Sequence, residues 1–578
     1  MRLTVERDVP ARMRDGTTLY ADVYRPEAPG KYPVILLRTP YNKTFGRIAY
    51  LQLDPMRTAS QGYALVIQDT RGRFTSEEEF YCFKYESEDG YDTVEWAARQ
   101  PWSDSSVGMY GASYMGATQW LTAIARPPHL KCIVPLVTAS DYHEGWTYQG
   151  GAFELGFNMS WALTSLVLAN LAHFQLPPEK ADRIRAELIQ GVDAMCEPFT
   201  YLPLKDFPGL KQEQLAPYYF EWLAHPNDDQ YWRQWSIKDR HSQVTAPALN
   251  VGGWYDIFLG GTLRNYLGMR QNGGSAQAKQ QRLIVGPWFH TTLFPNVSGE
   301  VDFGVRAQGL AIDLEGIMLR WFDHWLKGID TGMLREPPVK LFVMGENIWR
   351  DEQEWPLARA QNTKYYFHSG GKANTLHGDG VLSAEPPGSE PADYYLYDPR
   401  NPTPTRGGGL CCWPGAVPGG AYDQRPTEAR PDVLVYSTPP LGQAVEVTGP
   451  ISVKLWAASS APDTDFTAKL VDVDTNGYAR NLTDGIIRAR YRESTAKPTL
   501  IEPAKVYEYT IDLWATSNVF KAGHRIRVEI SSSNFPRFDR NPNTGHPFAQ
   551  DAEFCPAAQT ILHDAAHPSH IVLPIVPR

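Results

Sequence analysis

Long apolar runs, paired metal-binding cysteines and charge of one sign are what this 578-residue chain has least of. Its start, Met1-Arg2-Leu3-Thr4-Val5-Glu6-Arg7-Asp8, is charged where a secretory leader would be apolar. No segment reads as long enough to span a bilayer, so a cytoplasmic protein without membrane contact is expected. Six cysteines (Cys82, Cys132, Cys196, Cys411, Cys412, Cys555) show no C-x-x-C spacing, which argues against zinc and thioredoxin-like chemistry; no metal and no cofactor are expected. The adjacent Cys411-Cys412 reads as two small apolar residues lining a loop, in preference to a vicinal disulfide or a metal site. The net charge of −10 is spread without long runs, which argues against nucleic acid as a partner. Internal repeats and low-complexity linkers are missing too. What abounds is aromatic, including 17 tryptophans.

The most informative stretch is Gly111-Ala112-Ser113-Tyr114-Met115-Gly116. Before it, residues 107–110 have the pattern of a buried strand end, and after it 117–125 read as a helix. A serine at a sharp strand-to-helix turn is held in strained backbone angles with its hydroxyl above the sheet edge, and small residues must flank it. The usual pattern is G-x-S-x-G. Here Met115 takes the last position and the glycine is displaced to Gly116.

An α/β-hydrolase must supply, after its serine, an acid and then a histidine, both at strand ends. Residues 246–253 read as a short buried strand running into glycines, and Asp256 lies in the loop that follows. Residues 281–285 form another strand, closed by Gly286-Pro287-Trp288-Phe289-His290. Among fourteen histidines one lying downstream proves nothing alone, but His290 comes after a strand and after Asp256. The chemistry requires this set. Serine is a poor nucleophile until a neutral imidazole takes its proton, and a buried carboxylate fixes the tautomer and stabilises the imidazolium. The oxyanion needs donors as well. The amide of Tyr114 is the natural first one. Tyr41, in the loop after a strand at 34–38, could bring a phenolic hydroxyl over the elbow or could be a packed loop tyrosine, one of thirty.

Organisation changes twice along the chain, and two to four domains are expected from its length. In 1–141 and again in 245–350, short strands alternate with amphipathic helices, the mark of a parallel sheet. Between them, 142–244 lacks strand patterning, with helices read over 152–171 and 179–199, and is most simply a cap over the catalytic edge. From 351 to 578 the chain turns to proline, glycine and many short strands, the signature of a β-sandwich.

Thr39-Pro40-Tyr41-Asn42-Lys43, Gln68-Asp69-Thr70-Arg71-Gly72, Gly111–Gly116, Gly253-Trp254-Tyr255-Asp256 and Gly286-Pro287-Trp288-Phe289-His290 together resemble the signature segments of the bacterial cocaine esterase family. That family includes α-amino-acid ester hydrolases and glutaryl cephalosporin acylases within the X-Pro dipeptidyl-peptidase class. The resemblance covers essentially the whole chain. It implies an α/β-hydrolase core with an inserted helical cap and a C-terminal jelly roll. In such proteins a glycine stands three residues after the nucleophile, so Gly116 is regular. The resemblance further implies Ser113 as nucleophile, Asp256 as orienting acid, His290 as base, and Tyr41 beside the Tyr114 amide as oxyanion donors.

By the same resemblance Trp146, Trp161 and Phe258, with Gln52 joining them, line an aromatic acyl pocket, and Cys411 and Cys412 stand where a bulky apolar pair would face the site. The expected activity is hydrolysis of esters with hydrophobic or aromatic acyl groups through an acyl-enzyme, on a small-molecule ester or amide, in a chain that could form a homodimer. Related alternatives are an α-amino-acid ester hydrolase, an X-Pro dipeptidyl-peptidase or a side-chain amide acylase. The first is disfavoured because Met115 supplies no charge for a substrate ammonium; the second needs an acidic anchor, for which Glu144 and Glu154 are the candidates. From another class, the protein could be a carbohydrate-binding jelly roll attached to an inactive hydrolase domain.

Overall fold

In a computed structural model describing residues 2–45, 52–291 and 294–578, the α/β part is built on one ten-stranded sheet. Its strands are β1 (Leu3–Arg12), β2 (Thr18–Pro26), β3 (Tyr32–Thr39), β4 (Ala64–Asp69), β5 (Ser103–Ala112), β6 (Leu130–Leu136), β7 (Leu249–Tyr255), β8 (Arg282–Phe289), β9 (Val339–Val343) and β10 (Ile348–Glu352). Their spatial order is β1-β2-β4-β3-β5-β6-β7-β8-β9-β10. From β4 to β9 all neighbours are parallel, and antiparallel strands close both edges. The central strands are covered on both faces, so β4 and β7 are buried along their whole length and carry continuous apolar runs rather than alternation.

The helix Tyr114–Ile124 leaves β5 and is buried at every position. Gln119 laces it to the sheet: its Nε2 donates to the Gly111 carbonyl at 3.0 Å and its Oε1 accepts from the Val134 amide at 3.0 Å. Two glycines make this packing possible. Gly111 has φ +139°, and a methyl group on it would meet the Met115 Cβ at 2.6 Å; one on Gly116 would meet the Thr138 Cβ at 2.7 Å.

Between β6 and β7 the chain forms a mostly helical insertion. The expected helix over 152–171 differs in two respects. A small hairpin (Tyr148–Gln149 with Ala152–Phe153) precedes it, and the helix itself is α over Leu155–Trp161, π over Ala162–Val167 and 3-10 over Leu168–Phe174. The second helix runs Pro178–Asp193, with Pro178 in its first turn, and then breaks before Cys196–Thr200. The expectation that no segment could span a bilayer is corrected here. Leu155–Phe174, 20 residues without a charge, passes by length and composition, because isolated Asn, Ser and Thr interrupt its apolar run without lowering its mean hydropathy enough. Buried over 72% of its most apolar window, it packs as a core helix.

The C-terminal part holds eleven strands in a curled, largely antiparallel sheet. Two long ones, Val445–Ser459 and Tyr507–Phe520, pair along their length with a bulge between Pro450 and Ser452, and Val453, Leu455, Ile511 and Leu513 face the interior in alternation with polar neighbours. This interior is continuous with Trp254, Tyr255, Leu341 and Phe342 of the α/β part, so the two share one apolar core.

Because the helix meets the loop after β6 at Gly116 with no room for a methyl, Gly116→Ala is expected to destabilise the protein by about 1–3 kcal/mol, the usual cost of overpacking. A lowered thermal unfolding midpoint checks this; an unchanged midpoint would show that Thr138 yields freely.

Candidate active site

Ser113 sits at the turn between β5 and the helix Tyr114–Ile124 with φ 60° and ψ −125°, outside the regions an L-residue prefers. Its amide is held by the Leu136 carbonyl of β6 at 2.9 Å, and its carbonyl accepts the Gly116 and Ala117 amides at 2.8 and 3.0 Å. The strained residue is therefore tied on both sides, and its side chain is left free to face the loops after β7 and β8.

Those loops bring Asp256 and His290. The His290 Nε2 lies 3.0 Å from the Ser113 Oγ, and its Nδ1 lies 2.7 Å from the Asp256 Oδ2. Asp256 is buried, and its other oxygen accepts the Phe258 amide at 2.6 Å. An ionised carboxylate only accepts, so Nδ1 carries the ring proton and Nε2 offers its lone pair to the serine hydroxyl. The strand residues before Asp256 fix its position: the Trp254 Nε1 donates to the Phe342 carbonyl at 2.8 Å, and the Tyr255 hydroxyl donates to the Asn481 carbonyl at 3.0 Å.

Tyr41 meets the same serine. The Ser113 hydroxyl is among the groups that act on its phenol, whose oxygen accepts the Trp161 Nε1 at 3.0 Å. Indole nitrogen is a donor only, so the phenol is the acceptor in that bond and keeps its own proton to donate. Burial pushes the Tyr41 phenol well above its ordinary value, which keeps that proton in place. Beside it, the Tyr114 amide is at the first helical position, where no carbonyl one turn earlier can accept it. The Tyr114 side chain points elsewhere: its hydroxyl donates to Glu86 Oε1 at 3.0 Å and accepts the Phe83 amide at 2.8 Å.

The loop that carries Tyr41 is pinned from beneath by charged residues for which sequence reasoning gave no role. The Lys43 amide and Nζ both donate to Asp69, at 2.7 and 3.2 Å, and the Arg73 Nε donates to the Pro40 carbonyl at 2.6 Å. Arg73 is wholly buried and also reaches the Leu166 and Ser165 carbonyls in the insertion. Arg38 pairs with Glu86 at 2.6 Å, completing a line from β3 to Tyr114. Burial raises the Glu86 and Asp69 carboxyls above their usual range against the pull of these partners. Of these, Asp69 lies in a segment that the sequence brought forward, Gln68-Asp69-Thr70-Arg71-Gly72, and its charge there reads like a surface one.

The residues expected to form an acyl pocket fall into one aromatic cluster against the histidine. Trp146 stacks on Phe258 with ring centres 4.3 Å apart, and Phe258 presents its edge to His290 at 5.1 Å. Trp161 meets Trp146 edge-on at 5.6 Å and stacks on Phe157 and Trp222. Gln52 is buried immediately before the helix Pro55–Ser60. Cys411 and Cys412 arrive on a loop of the β-rich part and belong to the same apolar cluster as Trp146 and Phe258. One expectation about them fails. They are joined as a vicinal disulfide, not held as two thiols. Cys412 takes φ +126°, a conformation that composition gives no means to foresee.

Of Glu144 and Glu154, the two acidic candidates of the insertion, Glu154 is buried and Glu144 half-buried. Glu144 accepts the Gly150 amide at 3.2 Å, and the Glu154 Oε2 stands 3.6 Å from the buried Arg537, which also pairs with Asp484. Burial pushes Glu144 up to about 7 and Glu154 up to about 8, the latter in spite of Arg537. The folded protein thus holds protons that an unfolded chain has released above the ordinary glutamate range. Stability from these groups is full below that range and is lost as pH rises through about 7 and about 8. Glu154→Gln should accordingly flatten the decline of the unfolding midpoint between roughly pH 5 and 8. Thermal scans at several pH values test this, and a slope equal to the parent's would place the titration elsewhere.

Comparison with known proteins agrees with this architecture. Residues 15–292 match the family described as X-Pro dipeptidyl-peptidase (S15 family), and residues 331–572 match the X-Pro dipeptidyl-peptidase C-terminal non-catalytic domain. The chain is 42% identical over 582 residues to the cocaine esterase of Rhodococcus sp. (strain MB1 Bresler), covering 100% of this chain and 99% of that one. Among solved structures it superposes on an aminopeptidase from a marine sediment Thaumarchaeota archaeon with a TM-score of 0.82 at 26% identity, covering 100% and 97% of the two chains. An α-amino-acid ester hydrolase shares the fold with a TM-score of 0.81 at 24% identity, covering 99% and 96%.

Proposed function

The chain belongs to the X-Pro dipeptidyl-peptidase (S15) family and is a serine ester hydrolase, and we propose that Ser113, His290 and Asp256 are the residues with which it cleaves esters of hydrophobic or aromatic acids. The observation that carries this reading is the hydrogen-bonded chain Ser113–His290–Asp256, with the Tyr41 phenol beside it. In it, the Ser113 Oγ attacks the ester carbonyl while its proton passes to the His290 Nε2, and Asp256 stabilises the imidazolium so formed. The oxyanion takes hydrogen bonds from the Tyr114 amide and the Tyr41 hydroxyl, both fixed before substrate arrives. His290 then gives its proton to the departing alcohol. Water, deprotonated by the same nitrogen, releases the acid from Ser113.

The acyl preference rests on Trp146, Trp161 and Phe258, with Gln52 and the Cys411-Cys412 wall completing the pocket. A substrate ammonium there would need a carboxylate partner, since desolvating an unpaired cation is costly. Glu144 and Glu154 are poor partners: burial favours their neutral form, and Arg537 already stands beside Glu154. This weighs against the α-amino-acid ester hydrolase and X-Pro peptidase readings. A side-chain amide acylase would use the same triad. A carbohydrate-binding role with an inactive hydrolase part is disfavoured by the intact hydrogen-bonded set. We further place the protein in the cytoplasm, where the exposed free thiols of Cys196 and Cys555 suit a reducing medium. A homodimer would find a ready surface on the edge strand Asp393–Tyr397, where Tyr394 and Leu396 are exposed.

Ser113→Ala is expected to lower turnover of a p-nitrophenyl ester by on the order of 10⁶ with the protein still folded, since triad members act as a unit. Tyr41→Phe should cost roughly 10²–10³ in kcat with KM little changed, as loss of one oxyanion donor does. A loss confined to KM would make Tyr41 a pocket residue.

For the acyl side, kcat/KM for benzoyl or phenylacetyl esters is expected to exceed that for phenylglycine methyl ester. Cation–π attraction from the cluster would return only about 0.5–2 kcal/mol to the ammonium. A clear preference for the amino-acid ester would restore the α-amino-acid ester hydrolase reading.

A further inference from the structure

Cys411 and Cys412 do more than wall the pocket. Donor atoms of His290, Cys411 and Cys412 all lie within 4.8 Å of one another. The loop that carries the sulfurs is anchored firmly. Gly408 and Gly420 exchange backbone hydrogen bonds of 2.7 and 2.9 Å at its base, and Gly409 packs so closely on the Asp256 carbonyl that an added methyl would stand 3.3 Å from it. Cys411 is buried and Cys412 half-buried. Two sulfurs and an imidazole nitrogen make the donor set that soft, borderline cations prefer, and the remaining ring nitrogen of His290 is held by a carboxylate, the outer-sphere arrangement found behind metal-binding histidines.

We propose that the reduced Cys411-Cys412 pair and the His290 Nε2 form a binding site for a thiophilic divalent cation of the zinc type, and that occupying it silences ester hydrolysis. The silencing rests on the reading of His290 as the base. The lone pair that must receive the Ser113 proton is the one the cation would take, so metal binding and turnover exclude each other. The disulfide is the unreceptive form. A trialkylphosphine opens it: the S–S bond breaks, phosphorus is oxidised to the phosphine oxide, and water supplies the oxide oxygen and the two thiol protons. Binding of the cation then releases those two protons to solvent as both sulfurs become thiolate ligands. The absence of C-x-x-C spacing is no obstacle, because the third ligand comes from the other domain and no local sequence pattern registers it.

The test uses the full chain, reduced with a phosphine and desalted without air. Cobalt(II) serves as the optical probe and zinc as the inhibitor. In Ser113→Ala, which needs no hydrolysis to be informative, cobalt is expected to give a thiolate-to-metal charge-transfer band after reduction. The band should be missing from the reoxidised protein and lost in Cys411→Ser or Cys412→Ser. In the reduced parent enzyme, zinc at about ten times its dissociation constant should leave about a tenth of the ester hydrolysis, and a chelator should restore it. The ratio of rates with and without zinc, measured on each variant against itself, should return to one in the serine variants and in the oxidised parent. A band that survives in both serine variants would trace the metal to Cys196 or Cys555 and overturn the proposal. So would equal inhibition of the oxidised and reduced enzyme. The cobalt arm stands even if Ser113 proves not to be the nucleophile, so the two readings fail separately.

Discussion

Everything at the site depends on how closely the helix Tyr114–Ile124 approaches the sheet. Ser113 holds φ 60° only because the chain on either side cannot relax: its amide is bonded to β6 and its carbonyl to the first turn of the helix. That turn can lie so near β5 and the loop after β6 because neither Gly111 nor Gly116 brings a side chain into the gap. Strain of order 1–3 kcal/mol at one residue persists when packing on this scale over-determines it. Its return is geometric. The serine hydroxyl stands proud of the sheet, and the following amide lies bare beside it.

The second constraint is electrostatic. Lys43 with Asp69, Arg38 with Glu86, and Arg73 with three backbone carbonyls all lie beneath Tyr41 and Tyr114, almost without solvent. Such pairs add little net stability, since the desolvation of both partners offsets most of their attraction. Breaking one is a different matter: it strands a buried charge. They therefore act as pins. Arg73 joins the Tyr41 loop to the insertion, and Glu86 joins β3 to the residue after the serine, so Tyr41 and the Tyr114 amide keep a fixed relation to Ser113.

How much of this was legible follows from where each signal lies. Ser113, Asp256 and His290 each follow a short buried strand, so hydrophobic patterning and chain order bring them forward together. Tyr41 could not be separated from other loop tyrosines on pattern alone; resemblance to a family singled it out, and the donor that orients it, Trp161, lies 120 residues away. Asp69, Arg73 and Glu86 were missed because a buried charge looks in sequence like a surface one. Their partners are carbonyls and residues brought near by the fold. Cys411-Cys412 was misread for the converse reason. Composition treats adjacent cysteines as two small apolar residues, whereas the fold joins them as a disulfide and sets them beside a histidine far away in the chain.

The β-rich part is accordingly a builder of the site and not a passenger. The insertion hairpin is bonded directly to it: the Arg488 amide donates to the Gly150 carbonyl, the Phe153 amide to Asp539, and the Gly156 amide to the Pro536 carbonyl. At the junction of insertion, core and β-rich part, Arg537 lies wholly buried among Asp484, Glu154 and the Gln149 carboxamide, one residue's width from the loop that bears the two cysteines. A guanidinium so placed cannot be left without its carboxylates, nor they without it, so the three parts are fixed to one another by the cost of separating them. The backbone beneath Trp146, Phe258 and Cys412 is thereby held from all three directions.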